Sequence, residues 1–363
     1  MLQIQLNTDC EGPLALNDHA FELCREFIKP HGDRFFTQVS LYGDYLANIA
    51  KRQEYKAGDT LKLILPFLKA HGATNAMIRD FSLQNIRLVS GAEAAFRFLH
   101  RFGFPIFEIS TSSRQFAEAV GSKLGFDAEH IFCTELDLDR FHLPPAEAEE
   151  LRRLEEEIVT APAIELPPGA ASPADLPGPA QEAISRLDRV FGERLPGMKI
   201  GVMLREVNPL GGPEKAKAVS DSLSRTGYQL ADTIYVGDSL TDVQAFEAVR
   251  AGGGLAISFN GNRYAIKAAE VVVVSDSTWP MALLVAIFRL WGKEGILEVA
   301  SPERRGKSRA LVLPEDMIEP IALGLQDHQF NLYLADDPNQ DKIIQESEAM
   351  RARLRGEAIA ALG

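Results

Sequence analysis

The sequence predicts an α/β fold built on a mainly parallel sheet, and three observations carry that prediction. Short apolar segments recur along the 363 residues, each ending in a polar or turn cluster. Stretches with helical periodicity separate them. The polar clusters all fall at the carboxyl ends of the expected strands, where ligands bind in such folds.

Taken in order, Leu2 to Leu6 leads to Asp9, and Pro105 to Ile109 leads to Ser110-Thr111-Ser112. Lys199 to Leu204 is a third expected strand. Thr233 to Val236 leads to Gly237-Asp238, Gly254 to Phe259 to Asn260-Gly261-Asn262, and Val271 to Val274 to Ser275-Asp276. Ala92, Ala95, Phe96 and Leu99 form one helical stripe between strands, and Phe116, Val120 and Leu124 another. The first strand alternates apolar and polar residues, a pattern that suits a buried parallel strand poorly.

Residues 17–86 interrupt the alternation with helices. Asn17 or Asp18 is placed to cap a helix with the apolar face Ala20, Leu23, Cys24 and Phe27. Tyr42, Tyr45, Leu46 and Ile49 continue as a second, and Leu61, Ile64, Leu65 and Leu68 follow Asp59 as a third. A charged helix from Ala146 to Ile158 precedes a stretch dense in Pro, Ala and Gly, Ala161 to Pro179, which reads as an exposed linker or lid. A polar helix, Ala180 to Phe191, closes that region. The tail from Trp279 holds an apolar helix, an irregular stretch and a charged helix near Asp341 to Leu362.

The net charge of −13 argues against a duplex nucleic-acid partner, since phosphate backbones select basic surfaces. Three widely spaced cysteines, Cys10, Cys24 and Cys133, give neither a disulfide framework nor a zinc pattern. The start of the chain lacks a basic, long-apolar leader, and the apolar run Trp279 to Trp291 contains Arg289 and is too short to span a bilayer. These features lead to the expectation of a cytoplasmic protein without a membrane partner.

Four clusters carry chemistry suited to phosphoryl transfer, which needs a nucleophile, charge screening, donors for phosphoryl oxygens and an acid for the leaving group. Asp9 and Glu11, two residues apart at a strand end, can point to the same side; a strand-ending turn with solvated acids is the competing account. Ser110 and Thr111 offer hydroxyls and amides at a strand-to-helix junction, where a helix cap would look the same. Lys215 can neutralise a nucleophile and a phosphoryl group, or be a solvated helix lysine. Asp238 and Asp242, four residues apart after a glycine, suit a hard divalent cation or a helix start.

In this order the clusters resemble the motifs of the haloacid-dehalogenase superfamily. Asp9-Cys10-Glu11-Gly12-Pro13-Leu14 resembles its first motif, Asp-x-Asp-Gly-Thr-Leu. Ser110 resembles the second, Lys215 the third, and Gly237-Asp238-Ser239-Leu240-Thr241-Asp242 the fourth, Gly-Asp-x-x-x-Asp. The resemblance covers residues 1–16, 87–145 and 196–275. It implies a Rossmann-like core, with residues 17–86 as an inserted helical cap of the phosphoserine-phosphatase-like (C1) type. Residues 146–195 then form a second helical insertion and 276–363 a C-terminal extension.

The same resemblance implies a phosphatase acting on a small phosphorylated metabolite. Asp9 would attack phosphorus and Glu11 would serve as acid and then base. Ser110, Thr111 and Lys215 would bind the phosphoryl group. Mg²⁺ would be held by Asp9, Asp238, Asp242 and the main-chain carbonyl of Glu11. Glu11 departs from the family, whose phosphatases carry aspartate there. The Asp-Cys-Glu-Gly-Pro start also resembles archaeal hydrogenase-associated subunits, which keeps an assembly role open beside a phosphomutase one. Asp18, His19, Arg52 and Lys56 are polar cap residues that could set the substrate, and the C-terminal extension could form a homodimer interface.

Overall fold

Among the described residues seven strands form a single sheet: Gln5–Thr8 (β1), Ile106–Ser113 (β2), Ile131–Thr134 (β3), Thr233–Gly237 (β4), Leu255–Phe259 (β5), Val271–Ser275 (β6) and Phe330–Leu334 (β7). In this computed structural model, which describes residues 2–167, 169–301 and 312–357, they run in the order β3-β2-β1-β4-β5-β6-β7. All neighbours are parallel except the antiparallel edge pair β6–β7. This is a Rossmann-like α/β sheet. The chain winds outward from β1 in one direction and from β4 in the other, so a crevice opens where the order reverses.

The α-helices begin with His19–Phe27 (α1), Gly32–Asp44 (α2), Thr60–Ala70 (α3), Asn75–Asn85 (α4) and Ala92–His100 (α5). Next come Arg114–Leu124 (α6), Pro145–Thr160 (α7), Gly178–Asp188 (α8), Met203–Glu206 (α9) and Pro213–Thr226 (α10). Val243–Ala251 (α11), Arg263–Ala268 (α12), Trp279–Ala300 (α13), Glu315–Leu325 (α14) and Gln340–Arg355 (α15) complete the set. Among the described residues no helix is long and apolar enough to cross a membrane.

Strand side chains alternate between faces, and the partition is visible in the cores. Leu6, Ile106, Ile234, Val236, Ile257, Val271 and Val273 pack against α5, α6, α13 and α14. On the other face Ile109, Tyr235 and Ala256 meet α10, α11 and α12. The polar residues of β1 are buried there rather than solvated. Gln5 Nε2 donates to Asn7 Oδ1 (3.0 Å) and Ser222 Oγ (2.7 Å), and Thr226 Oγ1 donates to Gln5 Oε1 (2.7 Å). Hydrogen bonding to α10 thus explains the alternating pattern, because a buried polar group is tolerated when paired.

A second body is wholly helical. Residues 19–85 leave the sheet after β1 and return beside their point of exit, where Leu16 N donates to Arg87 O (2.7 Å) and Val89 N to Leu14 O (2.9 Å). Helices α1–α4 share one hydrophobic core with α7, α8 and α9. The Pro-rich stretch 161–179 is largely surface-exposed where described, as expected, but it is not a free linker: Ala161, Ile164 and Leu176 are buried in that core. Gln38 on α2 holds it, donating to Pro162 O (2.8 Å) and Ala161 O (3.3 Å) and accepting from Ile164 N (3.1 Å).

Lys199 to Leu204 is not a strand but a 3-10 turn running into α9. Ile200 and Met203, three apart, insert into the helical core, and the Glu147 carboxylate accepts from the amides of Lys199 (2.8 Å) and Ile200 (3.0 Å). A short apolar run of this kind has no periodicity that separates strand from buried helix. The expected C-terminal helix is α15, with 358–362 of its predicted span lying outside the described residues.

Candidate functional site

Each end of the reversal crevice supplies an acid. Thr8 pairs with Val236 on one side and Glu108 on the other, so Asp9, Asp238 and Ser110 emerge together at the carboxyl edge of the sheet. Asp9 N donates to Val236 O (2.8 Å), fixing the first residue beyond β1. Gly12 follows at φ +101, and a Cβ there would lie 2.2 Å from Asp238 Oδ2. Glycine is required twice over, for the backbone conformation and for the room Asp238 occupies.

Lys215, in the first turn of α10, is fully buried and lies 2.7 Å from both Asp9 Oδ2 and Asp242 Oδ1. Burial opposes its charge, but the Asp242 and Asp9 carboxylates outweigh that and hold the ammonium above its ordinary range. Burial also pushes Asp9 upward, reinforced by Asp242 and opposed by Lys215. Asp242 is the organiser of the loop. Its Oδ2 accepts from the amides of Asp238 and Ser239 (3.0 Å each), and its Oδ1 also accepts from Tyr235 Oη (2.7 Å).

Glu11 turns toward the helical body. Its Oε1 accepts from His19 N (2.8 Å) and Ser112 Oγ (2.7 Å). Burial, then the Asp18 charge, push its carboxyl up to about 7 against the opposing effects of Arg355, Ser112 and His19. Ser110 is fully buried and accepts from Ser112 N (3.1 Å). It lies inside β2 rather than at the junction with α6, because the helix starts only at Arg114. Thr111 Oγ1 donates to Leu210 O (3.0 Å), so its hydroxyl hydrogen is committed to the backbone.

These groups border one cavity of about 130 Å³, whose lining includes Asp9, Glu11, Ser110, Thr111 and Asp238. That is well below the roughly 300–1,000 Å³ of typical ligand sites. Asp18 and His19 also line it, Asp18 while capping α1 through Phe21 N (2.9 Å). The His19 ring stacks on Phe116, and burial lowers its pKa to about 3, so it stands neutral. Arg52 and Lys56 lie outside the lining: Arg52 pairs with Asp188 (2.7 Å), and Lys56 with Asp59 (2.8 Å) and the Pro209 carbonyl (2.7 Å). A larger depression of about 740 Å³, between α3 and α7, contains none of the clustered carboxylates.

Asp9, Asp238 and Asp242 each place an oxygen within 4.8 Å of the others. Buried carboxylate oxygens are the donor set a hard divalent cation takes. One further pair of residues reaches this cluster, and sequence reasoning passed over it. Arg351 and Arg355, both buried on α15, donate to Asp238 Oδ2, Arg355 at 3.1 Å. Four apart on a charged helix, they carry no sequence signal that separates them from solvated arginines. Tyr235 was likewise unmarked, whereas Ser112 stood in the Ser110-Thr111-Ser112 cluster without a role of its own.

The chain matches no family model and no curated protein. Among solved structures it is similar to gene product AF1437 from Archaeoglobus fulgidus, at 31% identity and a TM-score of 0.80, covering 100% of this chain and 99% of that one. A substrate-bound phosphoserine phosphatase aligns at 14% identity and a TM-score of 0.44 over 75% of this chain and 93% of its own. A HAD family hydrolase from Salmonella enterica subsp. enterica serovar Typhi aligns at 13% and 0.41, over 71% and 62%.

Proposed function

We propose that this chain, which belongs to the family of the Archaeoglobus fulgidus gene product AF1437, is a phosphohydrolase of haloacid-dehalogenase type acting on a small phosphorylated metabolite. One observation carries the reading. Asp9, paired to a buried Lys215, and Glu11, with its carboxyl near 7, border the same small cavity as Ser110.

The roles follow from position. Asp9 attacks phosphorus, and its new P–O bond forms as the bond to the leaving oxygen breaks. Lys215 favours the carboxylate form of Asp9 against the burial and the Asp242 charge that push it toward protonation. Glu11, protonated in a useful fraction near neutrality, donates its proton to the leaving oxygen. It then takes a proton from the water that cleaves the aspartyl-phosphate and frees Asp9. Ser110 and the amides after it receive phosphoryl oxygens. Asp9, Asp238 and the Glu11 carbonyl would hold Mg²⁺, with Asp242 ordering the loop beside them. The metal, when bound, supplies charge neutralisation for the phosphoryl group.

The small cavity limits access to the phosphoryl group itself, so the rest of a substrate must be accommodated between sheet and helical body. Release of phosphate from an aryl phosphate and a panel of metabolite phosphates, with and without Mg²⁺, tests the proposal. Magnesium-dependent release that disappears in Asp9→Asn is the expected result. A folded wild-type protein inactive across the panel would instead support a binding or assembly subunit, a reading favoured by the engagement of Asp238 with two arginines.

A further inference from the structure

Helix α15 is fastened to the sheet edge far in sequence from the motifs it reaches. Ile343 and Ile344 pack with Val272, Val274 and Ile266, and Ser347 Oγ donates to Gly261 O (2.7 Å). This docking carries Arg351 and Arg355, one turn apart, to Asp238.

Both guanidiniums donate to the same oxygen, Oδ2, the atom that overhangs Gly12. Arg355 is anchored further, Nε donating to Leu16 O (3.3 Å) and Nη2 to Asn17 O. Leu16 and Asn17 belong to the connection between sheet and helical body. Arg351 is less fully used: its Nε is buried without a partner among the described residues. Two buried cations on one carboxylate oxygen perform the electrostatic task of a divalent ion at that ligand. A divalent ion on the same oxygen would stand a few ångströms from both guanidiniums, in surroundings that screen little.

We propose that Arg351 and Arg355 are a tethered counter-ion that competes with a divalent cation for Asp238, so that metal binding displaces the guanidiniums and loosens the end of α15. The inference rests on the metal-site reading of the cluster, but not on turnover. Its consequence is regulatory, since anything that holds α15 down disfavours the metal-bound state.

The test is Mn²⁺ binding to the full chain, by calorimetry and by loss of the free-ion spin-resonance signal. Arg351→Gln/Arg355→Gln is expected to bind Mn²⁺ at least tenfold more tightly than wild type. Arg353→Gln, on the exposed side of the same helix and paired with Asp276 (3.2 Å), is expected to match wild type. Hydrogen exchange on the unaltered protein gives a second reading, with the amides of residues 348–355 exchanging faster at saturating Mn²⁺. Unchanged or weaker affinity in the double variant overturns the proposal, as does unaltered exchange or an absence of binding by either protein. Intact metal linkage with no phosphate release would sink the phosphatase reading alone.

Discussion

Ser112 Oγ donates to Glu11 Oε1 at 2.7 Å, and the carboxyl, standing where the motif it resembles has aspartate, is thereby held at glutamate length. His19 N reaches the same oxygen at 2.8 Å from the opposite body. Shortening the side chain withdraws the carboxyl by about one carbon–carbon bond, roughly 1.5 Å, and breaks both contacts. Glu11→Asp is therefore expected to lower kcat by about tenfold or more, although it restores the residue of the motif that the sequence resembles. Ser112→Ala should cost about 1 kcal/mol of positioning, a several-fold fall in kcat with little change in KM. Steady-state kinetics on the best substrate decide this. A Glu11→Asp enzyme faster than wild type would show that the two contacts do not set the acid.

Lys215 is the sole ammonium between Asp9 and Asp242 among the described residues, and it is fully buried. Lys215→Met keeps the volume but strands two buried carboxylates, a loss on the order of 3–5 kcal/mol in unfolding free energy. Urea denaturation measures it. Asp242→Asn in the Lys215→Met background should recover part of that loss, because the stranded charge is removed with its partner. A double variant no more stable than Lys215→Met would contradict the account. Neither variant should release phosphate.

Glu108 lies at the centre of β2 with both carboxyl oxygens buried and only the Cys10 thiol, a weak donor, as a partner among the described residues. Burial pushes it from its ordinary 4.5 up to about 8, with the Glu11 charge adding to the rise and Cys10 opposing it. The folded chain thus keeps a proton that the unfolded chain loses above 4.5. Stability from this group is complete below that pH and falls by about 1.4 kcal/mol per unit as pH rises toward 8. Glu108→Gln removes the titration. Its stability relative to wild type should be near zero at pH 5 and increasingly positive by pH 8, in urea melts at matched ionic strength. A difference that does not change with pH would mean Glu108 ionises as it does in solution.

The legible parts of this molecule were those written locally. Val271 to Val274 is an uninterrupted β-branched run, and it forms a fully buried strand. Asp18 caps α1 because a short acid before an amphipathic stretch has few other uses. Asp9, Ser110, Lys215 and Asp238 were visible through their order, and the sheet brings all four to one crevice. Tertiary partners were not legible. The edge strand β7 was missed because its register with β6 is set by a pairing partner some 60 residues away, while its own residues are only half-buried. Arg351 and Arg355 sit on a helix whose exposed face is equally charged, so nothing nearby marks them. At 161–179 composition conveyed the exposed surface but not the apolar anchors Ala161, Ile164 and Leu176 that tie it to the helical core.

That last stretch yields a prediction about how the two helical insertions hold together. Proline removes amide donors, so the segment satisfies its own carbonyls only in short pieces such as the 3-10 turn Pro173–Asp175, and its start needs a partner from elsewhere. Gln38, itself buried, supplies the missing partners: its amide donates to Ala161 O and Pro162 O while its carbonyl accepts from Ile164 N. Gln38→Leu fills the space but strips Pro162 O and Ile164 N of their partner and leaves Ala161 O only the longer bond from Arg34 Nη2 (3.4 Å), at about 1–3 kcal/mol for each group that finds no water. The expected result is a lower unfolding free energy together with new proteolytic cleavage within 161–176, since Ile164 and Leu176 would no longer be held in the helical core. Gln38→Glu keeps the acceptor for Ile164 N but loses the donors, so it should cleave at the same place. Cleavage confined to the charged surface of α7 in both variants would show that apolar burial alone retains the segment.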